Sequence, residues 1–194
     1  MKKHLALALA LIAAPLATSA NELNYSFIEG GYIRADLAGD SGDGLFARGS
    51  AAFGESFYGH ASYQKATNDE LGFDVSLDEA TIGVGYRIAM GVNVDFIAEA
   101  SYIDIGADVE GFGSSNYDGF RAALGVRGLM TPRLEGNLKA YYTELSDLDD
   151  GELGAQAGLV FHINQTWGIV ATYDHTKFFD ENINSGRIGV RASF

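Results

Sequence analysis

The densest run of candidate metal ligands in this 194-residue chain is Asp147-Leu148-Asp149-Asp150-Gly151-Glu152. Carboxylate oxygens are hard ligands that suit Ca²⁺ or Mg²⁺, but the run is too short and wrongly spaced for a calcium-binding hand. Asp147, Asp149, Asp150 and Glu152 are therefore candidates for holding a divalent cation in a loop, without a defined coordination geometry. A second set of charges recurs on alternate residues of extended segments: Arg48, Arg87, Asp95, Glu99, Arg121, Arg127, Glu135, Lys139, Arg187 and Arg191. Charges of both signs on one side of a strand cannot face lipid, and in a narrow interior they would pair, because an unpaired charge there loses its solvation. A third set, Asp174-His175 with nearby Asp180, has the residue types of acid–base catalysis but lacks an evident partner strand that would fix them around an activated water. Cysteine is absent, which excludes a disulfide framework, a thiolate metal site and a thiol nucleophile. No motif points to a cofactor.

The elements that must position these residues are strands. Lys2-Lys3-His4, an apolar run from Leu5 to Ala14, Pro15 and the small residues Thr18-Ser19-Ala20 have the order of a secretory signal peptide, with cleavage expected after Ala20. That leaves Asn21 to Phe194 as one domain with no linker. Apolar residues make up 47% of the chain, yet charges and glycines interrupt every later apolar run before it could cross a membrane as a helix. They recur instead at every second position, the pattern of a transmembrane β-barrel.

Ten segments alternate in this way: Leu23 to Ala35, Leu45 to Phe53, Phe57 to Lys65, Glu79 to Arg87, Val92 to Asp104, Phe120 to Arg127, Arg133 to Thr143, Leu153 to His162, Trp167 to Asp174 and Ser185 to Phe194. Their lengths suit the ~9–11 residues of a tilted spanning strand. The fold expected is all-β, an antiparallel up-and-down transmembrane β-barrel of ten strands, with eight as the alternative. In the first segment Leu23, Tyr25 and Phe27 are assigned to the lipid face, and a slip at Ile28-Glu29-Gly30-Gly31 predicts a bulge. If that bulge turns Glu29 inward, it becomes a partner for Arg187 and Arg191. Short connections follow the even-numbered segments and longer, acidic ones the odd-numbered segments, so the termini and turns fall at the periplasmic end and the loops outside. Aromatics close the lipid faces as two girdles, among them Phe53, Phe57, Tyr86, Trp167, Tyr63, Tyr102, Tyr142 and Tyr173.

With its Glu29-Gly30-Gly31-Tyr32 start, its Gly83-Val84-Gly85-Tyr86 strand and its terminal Phe194, the mature chain resembles the small proteobacterial outer-membrane barrels of the OmpX/OmpA-like group. It is most similar to the small barrel family of xanthomonad-type bacteria once proposed as a secreted signal or immune elicitor. The resemblance implies a non-enzymatic outer-membrane surface protein linked to envelope integrity, adhesion, biofilm or virulence, with Phe194 as the signal read by the barrel-assembly machinery. Omptin-type proteases also use ten strands but are much longer. In the lipid A deacylases a Ser follows His by two residues, whereas here His175-Thr176-Lys177 puts Lys in that place.

The acidic balance, 26 Asp and Glu against 13 Lys and Arg, gives a solvated rim, and its repulsion for phosphates disfavours nucleic acid as a partner. The partners expected are outer-membrane lipid and lipopolysaccharide, with divalent cations at the loops. A closed sheet has no free edges that demand a second copy, so the chain reads as a monomer. The rival reading is a porin-like narrow channel for small polar or cationic solutes. Against it, barrels of about eight strands have interiors just filled by side chains.

Overall fold

Alternation in the sequence becomes a closed sheet in the computed structural model, which describes residues 23–37, 40–68, 75–109, 111, 113–146, 151–178 and 181–194. Ten antiparallel strands run in chain order: β1 (Phe27–Leu37), β2 (Asp40–Phe53), β3 (Phe57–Asn68), β4 (Val75–Ala89), β5 (Val94–Val109), β6 (Gly113–Thr131), β7 (Leu134–Leu145), β8 (Glu152–His162), β9 (Trp167–Phe178) and β10 (Glu181–Ser193). Each pairs with its sequence neighbours, and β1 pairs with β10 to close the barrel. The ten-strand expectation stands over the eight-strand alternative. The leader through Ala20 lies outside the described residues.

The exterior carries the side chains that lipid favours. Ile82, Val84, Leu124, Leu138, Leu159, Ile169, Ile188 and Val190 are exposed. Phe53, Phe57, Tyr86, Phe161 and Trp167 lie toward the short turns, and Tyr32, Tyr63, Tyr102, Phe120, Tyr142 and Tyr173 toward the opposite end. Two girdles around an apolar band are the outer surface of a membrane barrel.

The first strand departs from the expected phase. Tyr25 and Phe27 are buried in the interior, and Ile28 and Tyr32 face outward. No bulge separates them, since the ladder from Phe27↔Ser193 to Ala35↔Ser185 is continuous. The register explains the inversion: Ile28 sits beside Ala192 and Tyr32 beside Ile188, so β10 fixes the even positions of β1 toward lipid and Glu29 turns inward without a bulge. A register shift does occur in β6, between Leu129 and Thr131 at the turn to β7.

Most connections expected to be long are short, because the strands continue past the upper girdle. They reach 11 to 19 residues, and β5 and β6 remain paired out to Val109↔Gly113. Asp43, Asp78, Asp104, Asp108 and Asp118, assigned in part to loops, therefore stand on strand extensions. Beyond Gly119↔Leu145, β6 has β5 on one side and no strand on the other among the described residues.

At the closing seam Gly31 and Gly189 face each other inward. A Cβ on Gly31 would come within 2.5 Å of the Gly189 Cα, and one on Gly189 within 3.0 Å of Phe46 Cζ. The absence of side chains there lets Phe46 of β2 lie over the seam and pack with Val160 and Val170 from β8 and β9 across the lumen.

Candidate functional site: a blind, layered lumen

Interior positions stack from the turn end upward, and the lowest layer is a plug. Arg127 donates to Glu135 through Nε (2.8 Å) and Nη2 (3.0 Å), and Arg191 Nη1 donates to the same carboxylate at 3.1 Å. Arg191 also ion-pairs with Glu29, its Nε donating at 2.6 Å, and His162 Nε2 stands 3.4 Å from Glu135. Side-chain exposures of 2% for Glu135 and 4% for Arg191 put this cluster out of water, where the pairing is what makes the burial tolerable. Aromatic faces complete it. The Arg191 guanidinium lies 4.0 Å from the Phe27 ring centroid and that of Arg127 4.3 Å from Tyr25, distances at which a cation is attracted to the ring face. Tyr25 donates its hydroxyl to Asp95 at 2.9 Å, and Arg87 reaches Asp95 at 3.3 Å.

The middle layer holds Lys139, whose Nζ donates to both Glu99 oxygens at 2.8 Å, while Tyr58 donates to Glu99 at 2.8 Å. Tyr58 lies against Gly85, where a Cβ would come within 2.1 Å of the ring's Cζ. Arg48 makes no ion pair among the described residues; it faces a polar cavity of about 80 Å³ and sits 5.7 Å from the Phe27 ring centroid. The upper layer pairs Arg121 with Glu79 through two bonds of 3.2 and 3.3 Å, and Arg187 with Asp174 at 3.7 Å. Asp174 also accepts from Tyr141 at 2.5 Å and Gln156 at 3.0 Å.

The ten charged residues singled out in the sequence thus occupy three tiers of one interior, and nine of them meet an opposite charge there. Sequence reasoning missed Glu79 and Asp174 as partners, placed Tyr25 and Phe27 on the wrong face, and overlooked the inward Ile33, Leu77, Ile105, Leu145 and Ile183. The parity of each strand would have found them once the strands were carried upward: Ile183 shares its side of β10 with Arg187 and Arg191.

Space narrows downward. A cavity of about 250 Å³ opens at the upper end, the middle one is about 80 Å³, and the lowest, bounded by Tyr25, Phe27, Arg127 and Arg191, is about 20 Å³. The last has room for about one water molecule.

The catalytic-looking residues at the upper end are dispersed. Asp174 points inward, whereas His175, next along β9, is exposed on the outer face and bonded to Asn184 Oδ1 at 2.8 Å. Adjacent residues of a strand project to opposite faces, so the two cannot act on one water. Asp147, Asp149, Asp150 and Asp180 lie outside the described residues, and Glu152 opens β8. Among the described residues no group of three or more His, Cys, Asp or Glu is arranged to hold a metal ion. At the chain end, Phe194 donates its N–H to Ser26 O at 3.1 Å and accepts from Asn24 Nδ2 at 3.2 Å.

A closed antiparallel β-barrel with an apolar, aromatic-bounded exterior and a charged interior is the fold of outer-membrane barrel proteins. Among solved structures the chain is similar to the NanC porin, at 11% identity with 87% of this chain and 100% of that chain covered and a TM-score of 0.54. Ail, the attachment invasion locus protein of Yersinia pestis, solved with the heparin analogue sucrose octasulfate, aligns at 16% identity over 87% of this chain and 97% of its own, TM-score 0.46. Neisserial surface protein A gives 15% identity, 87% and 95% coverage and a TM-score of 0.44. At these identities the likeness extends to the fold. No protein-family model matches the chain, and no curated protein matches it by sequence.

Proposed function

We propose that this protein is a non-enzymatic surface barrel of the bacterial outer membrane, of the small OmpX-like kind and nearest the xanthomonad-type family. Its acidic strand extensions form the surface for adhesion, biofilm growth or envelope integrity. The observation that carries the reading is the combination of a lipid-suited exterior with a plugged floor: the side chains that would line a pore are consumed in the Glu29–Arg191–Glu135–Arg127 cluster. What remains free to meet a partner is the projecting end, where β4, β5 and β6 rise above the upper girdle. Lipopolysaccharide surrounds that end in this reading, with divalent cations between its phosphates and the acidic extensions, and the barrel-assembly machinery handles Phe194 during insertion.

Cell fractionation with heat-modifiable migration on a denaturing gel tests the location; recovery from the soluble periplasm refutes it. Joining Asp104 to Asp118 by a tight turn removes the β5–β6 projection and leaves the spanning ladder intact. Cells carrying that variant are expected to fold the barrel and to lose attachment in a biofilm assay, and unchanged attachment counts against the assignment. Lipid A from cells with and without the protein is expected to give the same mass spectrum. Calorimetric titration of the refolded chain with Ca²⁺ and Mg²⁺ tests the cation contacts, and no heat at millimolar metal removes them.

A further inference from the structure

Above the Arg121–Glu79 pair the inner wall changes character. Ile33, Ala66, Leu77, Ile105, Leu145 and Ile183, from six different strands, line the chamber of about 250 Å³. The lumen of a water-filled barrel is polar, so an apolar inward ring at the open end marks a place where water is readily displaced. The charged groups beneath it are already committed. Arg121 is held by Glu79 and by Thr143 Oγ1 at 2.9 Å, and Asp174 by Tyr141, Gln156 and Arg187. Glu152 differs. It lines the same chamber, shares the inward parity of Gln156 and Val160 on β8, and makes no hydrogen bond or ion pair among the described residues.

We infer that this chamber binds a small amphipathic cation, with an apolar body inside the ring and a positive end at Glu152. A cavity of 150 Å³ accepts benzene, so this one suits a body of about ten non-hydrogen atoms. Filling it with apolar matter strips water from Glu152, and a desolvated carboxylate requires a counter-charge. An anion would meet Glu152 and the field of a chain with a net charge of -13, while Arg121 and the cations of the floor are engaged and Lys177, at the edge of the chamber, has the outward parity of its strand. The site opens only toward the outer end, so it takes its ligand from the medium. This goes beyond the adhesive role and does not depend on it.

Three probes of one shape test the inference: 2-phenylethylammonium, 2-phenylethanol and 3-phenylpropanoate, titrated calorimetrically into the mature chain in phosphatidylcholine nanodiscs, with empty nanodiscs as the reference for partition into lipid. The ammonium is expected to bind about tenfold more tightly than the alcohol, and the carboxylate not at all. Glu152→Gln lowers the ammonium to the affinity of the alcohol and leaves the alcohol unchanged. Ala66→Trp fills the chamber and abolishes both, and Ala35→Phe serves as a second filling variant should the first fail to fold by heat-modifiable migration. The inference is overturned if no probe binds above the empty nanodisc, if alcohol and ammonium bind alike, if Glu152→Gln changes nothing, or if binding survives a folded filled variant.

Discussion

Glu135 holds two guanidiniums and a histidine at once, and nothing else in the plug can replace it. Glu135→Gln leaves Arg191 with Glu29 alone and Arg127 with the Asn24 carbonyl but no carboxylate, in a space closed to water. Removing one partner of a buried pair costs about 3–5 kcal/mol, and urea unfolding of the barrel in lipid vesicles is expected to show a loss of that size. Arg87→Ala is the contrast. Its side chain is 33% exposed, its partner Asp95 only 7%, but Asp95 keeps the Tyr25 hydroxyl as a donor, so the loss is expected to be smaller, about 1–3 kcal/mol. The charges of this layer were legible in the sequence because strand parity places them. Which charge meets which was not, because Arg191 and Glu135 come from strands that are not neighbours in the sheet, and only closure brings them together.

At the scale of elements, the β1–β10 seam depends on two positions without side chains. Gly189→Ala sets a methyl group against the backbone of Gly30 and the ring of Phe46, and overpacking of this kind costs about 1–3 kcal/mol. Pairing Gly189→Ala with Phe46→Leu is expected to recover part of the loss, which a double-mutant cycle on urea midpoints measures. Alternation made the strands readable in the sequence wherever one face meets lipid and the other the lumen. It failed above the upper girdle, where both faces of β5 and β6 meet water and the pattern no longer has two solvents to distinguish; there the strands read as loops. It failed again at Tyr25 and Phe27, because an aromatic that stacks on arginine looks the same in sequence as one that faces lipid.

For the whole molecule, the narrowing of the lumen toward the 20 Å³ space beside Arg127 and Arg191 predicts that the purified barrel in planar bilayers gives no steady conductance steps. Large, regular steps would show that the plug moves. The architecture as a whole was legible from strand number, girdles and the even–odd rhythm of the connections. The apolar chamber was not, since its six residues lie on six strands and none is unusual in its own segment.

The contact between Phe194 and Ser26 makes the described barrel a ring with an arbitrary cut. Phe194 N–H reaches Ser26 O at 3.1 Å, so in a chain shortened to begin at Leu23 a short linker can join the ends, and new termini can be opened in the Gly54–Ser56 turn. Circular permutation of this kind succeeds where chain ends lie close together at a surface. The rearranged chain keeps every strand pair but ends on Phe53 or Gly54, with Phe194 buried in the middle of the sequence. Its refolding in detergent should match that of the parent, whereas its yield in the outer membrane of living cells reports whether Phe194 acts as a terminal address or only as part of the sheet.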